Sequence, residues 1–459
     1  MKKNVIGIAM LLLSAGAHAQ TAPTPTSTPS APVTLTPDTL RSLVLDNDDI
    51  LGGLNLLYQA KDQLNVARGQ LLPSLNLNLI LSPSFLTSAI SSLLSFLLPS
   101  NWINLRVQRQ LLEAQEVSYR ILQLNEYASA YSIYMTLLGD QETRDVLESQ
   151  YESLQGIYEV LQRERVLNGN VSAKDVSEAQ AQAQMALIQV AQADELLAKE
   201  KAAIRQMLDL DVGQDFVFEK VHVPASPIED ATDLKAVADQ AIAISPENEQ
   251  LDDLIQASKS SKWSKIFGFI SSSTLGNSMN SSSSGGGGFF NPKIISNTGM
   301  SIGFSYYPNV VLADDQVDAI RIQKEQLNGE EIQMAEVAIA TVQQAKKRVD
   351  LATQAEANLS QVYQTELQRY QLGLTDLLHV LNAQSEASKA ATTRVQSQID
   401  LDNVRINLHR MMLTDQFAQI KGCQANPDVS VKGGFFGGLF SKKKSRLTID
   451  EACHPQPAN

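Results

Sequence analysis

Cysteine is nearly absent from this chain. Cys423 and Cys453 are the only two in 459 residues, and both fall within the last forty. So few exclude a disulfide-stapled scaffold and a cysteine-rich metal site. In an exported protein a late pair of this kind closes a single disulfide. Histidine is as sparse: His18, His222, His379, His409 and His454 are scattered without metal-ligand spacing. Neither a Gly-x-Ser-x-Gly elbow nor a Walker loop occurs, so no enzyme and no cofactor are expected. Basic residues are outnumbered, and the net charge of −13 argues against nucleic acid as a partner.

No apolar run reaches the length of a spanning helix at the N-terminus. Lys2 and Lys3 precede the short run Val5 to Leu13, and Ala17-His18-Ala19 supplies a cleavage site. Residues 1–19 therefore read as a secretory signal peptide. Gln20 rather than cysteine follows the cut, so no lipid anchor is expected. Residues 20–40, rich in Thr, Pro and Ser, read as a disordered linker.

What the chain has in quantity is uninterrupted helix. From Ser100 to Asn168 there is no proline and only Gly139 and Gly156; from Asn309 to Leu372 only Gly329 interrupts. At 1.5 Å per residue such helices reach about 100 Å. A return helix is expected after each, from Ser172 to near Leu210 and from Thr375 to near Gln419. Val176, Ala179, Ala183, Ala186, Val190, Ala193 and Leu197 alternate steps of three and four. Leu147, Tyr151, Leu154, Tyr158 and Leu161 do the same, as do, with breaks at Lys346 and Glu356, Ile332, Ala335, Ile339, Val342, Val349, Ala352 and Leu359. That period makes helices supercoil about their neighbours.

The long elements come in two copies. Arg165-Val-Leu-Asn-Gly169 lies over Arg369-Tyr-Gln-Leu-Gly373, and the same offset pairs Val176 with Val380, Ala179-Gln180 with Ala383-Gln384 and Met207 with Met411. Two repeats, 41–225 and 226–421, and a tail, 422–459, account for the rest of the chain. Ahead of each long helix lies a pair of strand-like segments, about 74–82 with 90–98 and 266–274 with 299–307. Leu75, Leu77, Leu79 and Leu81, and Met300, Ile302, Phe304 and Tyr306, alternate with small or polar residues. The segment 82–98 also admits a short helix. Trp102 and Trp263 sit where an interfacial aromatic belt, or a core anchor, would place them. Four strands cannot close a membrane barrel, and open edges are not tolerated in lipid, so several chains must pool theirs.

Signal peptide, duplication, strand pairs and turn motif together resemble the TolC family of outer-membrane efflux proteins, from about Leu40 to Lys421. Arg369-Tyr-Gln-Leu-Gly-Leu-Thr-Asp-Leu-Leu-His-Val-Leu-Asn-Ala-Gln384 carries the resemblance most clearly, with Arg165 to Gln180 and Ala243-Ile-Ser-Pro-Glu247 in support. The resemblance implies a mainly α protein with a small β part. Long antiparallel coiled-coil helices would form a trimeric α-barrel across the periplasm, and four strands per chain a 12-stranded β-barrel in outer-membrane lipid. It implies a homotrimer serving a tripartite efflux pump or type I secretion system as a passive duct. A periplasmic adaptor and an inner-membrane pump or ABC transporter are the implied partners. The adaptor would meet the tips: Gly169, Asn170 and Val171 in one hairpin, Leu372, Gly373, Leu374 and Thr375 in the other. A hydrogen bond from Tyr370 to Asp175 is the implied gate latch. An arginine that strengthens that latch in the best-known member falls on Thr375 here. Its constricting acidic residues fall on His379 and Asn382, so an acidic ring is not expected at those positions, and Asp175 and Glu178 match them in the first copy. The tail, with Gly433-Gly-Phe-Phe-Gly-Gly-Leu-Phe440, Lys442 to Lys444 and the expected Cys423–Cys453 bridge, has no counterpart in the resemblance. A rival from another class is an envelope-anchored coiled-coil trimer with a structural or adhesive role.

Overall fold

A computed structural model describes residues 33–71, 99–169, 171–210, 216–267 and 306–423. The signal peptide, the strand pair at 74–98, most of the second pair, Asn170, and the tail from 424 with Cys453 lie outside them.

Four short to medium helices and four long ones make up nearly all of it. In the first half, α1 (Pro37–Leu45) and α2 (Asp48–Gly69) precede α3 (Pro99–Asn168) and α4 (Ala173–Met207). In the second, α5 (Leu234–Ile244) and α6 (Pro246–Phe267) precede α7 (Tyr306–Gln371) and α8 (Leu377–Met412). Both halves follow one succession: lengths of 9, 22, 70 and 35 residues, then 11, 22, 66 and 36. α3 and α7 are thus about 105 and 100 Å long. Each packs on its return helix and on the medium helices, α2 and α6 for α3, α5 and α6 for α7.

The predicted seams are the buried faces. Val176, Ala179, Ala183, Ala186, Val190 and Leu197 on α4 are buried, as are Leu154 and Leu161 on α3 and Ala335, Ile339, Val342 and Ala352 on α7. Ile332 is the exception and is exposed, while Glu331 beside it is buried. Its carboxylate accepts from Ser245 Oγ at 2.5 Å and Asn248 Nδ2 at 2.6 Å at the start of α6. Two hydrogen bonds offset the desolvation that otherwise excludes a glutamate from a core.

Residues 33–40 correct the composition reading. They were expected in the linker; instead Val33–Leu35 forms strand β1, parallel to β2 (Phe216–Phe218), and α1 starts at Pro37. Thr36 caps α1 by accepting from the Thr39 amide, and Pro37 at the first helical position has no amide to leave unpaired. Leu35, Leu40 and Val44 bury against Tyr127, Tyr131 and Phe417, and the Tyr134 hydroxyl donates to the Glu219 carbonyl at 2.6 Å. Residues 266–267 and 306–307, expected in strands, are the last and first residues of α6 and α7.

The loop between β2 and α5 is tied to the long helices by buried polar groups. Glu229 is bound by Arg405, the Ser226 amide and Lys346. Asp402, buried on α8, accepts from the Val223 amide at 3.3 Å and Gln398 Nε2 at 3.0 Å. His409 donates through Nε2 to the Pro224 carbonyl at 2.9 Å, which leaves Nδ1 to accept from Thr414 Oγ1 at 2.7 Å.

Between α3 and α4, Glu200 lies against Asp140. Burial first, then the Asp140 carboxyl, push Glu200 up to about 8. A carboxyl whose folded value lies above its unfolded value of 4.5 costs stability as pH rises between the two. Glu200→Gln should therefore raise the unfolding midpoint at pH 9 and leave it unchanged at pH 4. Because the site is partly solvated, the gain is expected to be about 1–2 kcal/mol. A thermal melt at the two pH values checks this.

Candidate functional site: the two hairpin tips

Both turns are built from a left-handed glycine followed by a side-chain N-cap. Gly169 and Gly373 have φ of 68° and 72°. At the second turn the Leu374 amide donates to the Arg369 carbonyl at 2.8 Å and the Gly373 amide to the Tyr370 carbonyl at 2.9 Å. This paired closure satisfies the last carbonyls of α7 and needs a residue without Cβ at the left-handed position. The return helices start on Ser172, whose Oγ accepts from the Lys174 amide, and on Asp376, whose Oδ1 accepts from the His379 amide at 3.1 Å.

Behind the turns, Leu154, Leu161, Val176, Ala179, Leu377 and Leu381 form one apolar cluster joining the two hairpins. Tyr370 packs its ring against this cluster and is half-buried. Burial raises its phenol, and the Glu164 and Asp175 carboxylates raise it further. The two hairpins are thus brought together at Tyr370 and Asp175. The expected Tyr370–Asp175 hydrogen bond is not formed among the described residues; the hydroxyl stands near two carboxylates, and the ring makes the contact.

Ahead of the cluster the tips expose apolar side chains. Val166 and Leu372 are 79% and 73% exposed, and Leu167, Leu374 and Leu378 are exposed as well. Val171 and Thr375 are half-buried instead. Val166 and Leu167 went unremarked in the sequence, although the repeat offset sets them over Tyr370 and Gln371. His379 and Asn382 are exposed on the first turns of α8, with His379 Nε2 3.9 Å from Asp376 Oδ1.

Further along, polar ties hold the two hairpins together. Arg394 on α8 reaches Glu142 on α3 and Glu356 on α7, both at 2.6 Å. Ser153 and Tyr363 hydrogen-bond at 2.7 Å, and Ser388 Oγ donates to Gln150 Oε1 at 2.5 Å. At the opposite end of the long helices Trp102 and Trp263 are both exposed. Cys423 is buried and disulfide-bonded. Among the described residues no helix is long and apolar enough to cross a membrane, and no group of three His, Cys, Asp or Glu is placed to hold a metal ion.

No family model matches the sequence, and no curated protein matches it. Solved structures match in fold. The CmeC outer membrane channel of Campylobacter jejuni is 15% identical at a TM-score of 0.60, covering 83% of this chain and 88% of that one. A membrane protein from Pseudomonas aeruginosa is 13% identical at 0.64, covering 83% and 91%. The outer membrane protein VceC of Vibrio cholerae is 13% identical at 0.58, covering 84% and 96%. Paired long helices, left-handed glycine turns and these likenesses agree: the chain has the fold of these solved outer-membrane channel structures.

Proposed function

We propose that this protein is the outer-membrane channel of a tripartite efflux pump or type I secretion system, a passive duct and not an enzyme. The observation that carries the reading is the pair of hairpins about 100 Å in reach, ending in tips that expose Val166, Leu167, Leu372 and Leu374 to a partner. Two copies of one duplicated unit per chain, pooled over a homotrimer, close the helical tunnel, and twelve strands close the barrel in outer-membrane lipid. The tips at Gly169 to Val171 and Leu372 to Thr375 receive a periplasmic adaptor, which couples the duct to an inner-membrane pump or ABC transporter. The partners choose the cargo.

Two measurements test this. Imaging of the detergent-solubilised protein should show a threefold cylinder at least about 100 Å long. In planar bilayers the protein should conduct ions, whereas a stalk with a structural or adhesive role passes no current; absence of conductance under conditions that open the tips would remove the channel reading.

The latch rests on the Tyr370 ring locking α7 onto the first hairpin. Tyr370→Ala should raise leak conductance about ten-fold, because losing a half-buried ring contact of about 1.4 kcal/mol shifts a closed–open equilibrium by that factor. Tyr370→Phe keeps the ring and should leave the leak near the wild-type level. A leak raised equally in both variants would return the latch to the hydroxyl and Asp175, and a leak raised in neither would remove the latch.

A further inference from the structure

The four long helices pack side by side in a row: α4 on α3, α3 on α8, and α8 on α7. α4 and α7 end the row, and each carries a second stripe besides its buried seam. On α4 the stripe is Ala181, Met185, Ile188, Gln192, Glu195 and Lys199. On α7 it is Gln344, Arg348, Leu351, Ala355, Asn358 and Val362. Every member of both stripes is exposed, Met185 to 57% and Leu351 to 54%. Both stripes step by four and three in the same alternation, the spacing with which a helix takes a coiled-coil neighbour.

We infer that the α4 stripe of one copy packs antiparallel on the α7 stripe of the next, the heterologous contact that closes three copies into a ring. The inference rests on the homotrimer proposed above and gives it a helix pair and a register.

The first support is level. Leu161, Val176, Leu377 and Leu381 share one cluster, which holds the two tips of a chain at the same height. Cyclic symmetry keeps the tips of neighbouring copies level as well. Distance along each helix from its turn glycine therefore sets which residues meet. The α4 stripe lies 12, 16, 19, 23, 26 and 30 residues beyond Gly169. The α7 stripe, taken upward from the tip, lies 11, 15, 18, 22, 25 and 29 residues before Gly373. The two series differ by one residue throughout, about 1.5 Å along the axis. Each stripe residue thus has a partner at its own level.

The second support is chemistry. Ala181 falls opposite Val362, and Ile188 opposite Ala355, small against large in both cases. Glu195, the one acid of the α4 stripe, falls opposite Arg348, the one charged residue of the α7 stripe. Lys199 falls opposite Gln344, so no like charges meet. A stripe matched in step, level and charge by another stripe of the same chain names a second copy as its occupant.

Disulfide trapping in the full-length, detergent-solubilised protein tests this. With Ile188→Cys and Ala355→Cys in one chain, oxidation should give a covalent trimer as the main species on a non-reducing gel, and reduction should return the monomer. Each single variant should stay monomeric. Ile188→Cys with Gln344→Cys should stay monomeric too, because position 344 lies about 16 Å along the axis from position 355 and a disulfide tolerates no more than about 7 Å between Cα atoms. Covalent dimers alone at full oxidation would mean two-fold pairing, and a product of monomer mass would mean a link within the chain; either overturns the inference. So does equal trapping of the off-register pair. A benzophenone at position 188, with both native positions 344 and 355 kept, gives an independent answer: capture of a peptide from 351–358 of another copy supports the contact, and capture elsewhere overturns it. Failure to trap in particles that remain threefold and conducting removes this interface alone, whereas a monomeric, non-conducting protein removes the channel reading with it.

Discussion

Arg405→Met should destabilise the protein by about 3 kcal/mol at neutral pH, because it strands a buried charge. Glu229 is 1% exposed. Burial by itself pushes its carboxyl up, but Arg405, the Ser226 amide and Lys346 outweigh it and hold the group below its ordinary value of 4.5. Arg405 supplies Nε at 2.8 Å and a second nitrogen at 3.3 Å, and a third guanidinium nitrogen reaches the Val223 carbonyl at 3.2 Å. Methionine keeps the stem and loses all three. What remains is the Ser226 amide at 2.9 Å and Lys346 at 3.4 Å, the latter on a side chain open to solvent.

The pH dependence separates this cause from lost packing. A carboxyl with a depressed folded value stabilises the fold above its unfolded value, and that stabilisation disappears as pH falls through the folded one. The gap between wild type and Arg405→Met in unfolding midpoint should thus be widest near pH 7 and shrink below about pH 4. A second substitution, Glu229→Gln, should recover part of the loss in the Arg405→Met background. A gap that is constant with pH would mean that the stem, not the charge, matters.

Gly139→Val should cost as much, for a steric reason. A Cβ at Gly139 would stand 2.1 Å from Ile399 Cδ1 and 2.2 Å from its Cγ1, where α3 and α8 cross. Glycine inside a helix costs about 1 kcal/mol relative to alanine, so close approach is the reason that favours it here. Valine adds two further carbons to the overlap, and overpacking of this degree costs about 3 kcal/mol. Separation of α3 from α8 would also stretch the Ser132–Asn403 hydrogen bond, 2.7 Å long, and the Arg394–Glu142 pair. Denaturant midpoints of Gly139→Ala, Ile399→Ala and the double variant check the cause. Ile399→Ala removes the clashing atoms, so the double variant should be more stable than the sum of its parts predicts; strict additivity would place the strain elsewhere.

The long helices were legible because their signals are local. Freedom from proline, a repeating step of three and four, and glycine followed by an N-cap all act within a few residues, and they place α3, α4, α7 and α8 to within a few positions. The helix predicted to run on to Gln419 stops at Met412, where Leu413 turns left-handed and a short 3-10 helix follows over Asp415–Gln419. Phe417, fully buried beside Tyr127, dictates that break, and its partner is far away in sequence.

The tips show the same division. Gly169 and Gly373 were readable from the repeat; the pairing of Tyr370 with Asp175 was implied only by the family resemblance, and as a hydrogen bond that the described residues do not form. The exposure of Val166 and Leu167, the half-burial of Val171 and the part of Glu164 beside Tyr370 were not.

By itself, then, the amino-acid order determined the helices, their turns, the apolar seams and the number of long elements, all written in neighbouring residues. Only the tertiary structure decided that 33–35 pairs with 216–218, that Glu331 rather than Ile332 faces inward, and that Gly139 meets Ile399. The physical reason is that a short strand or a buried carboxylate is stable only against a partner. Those partners lie 176 residues away for Glu229 and 86 for Glu331, a separation no local pattern encodes.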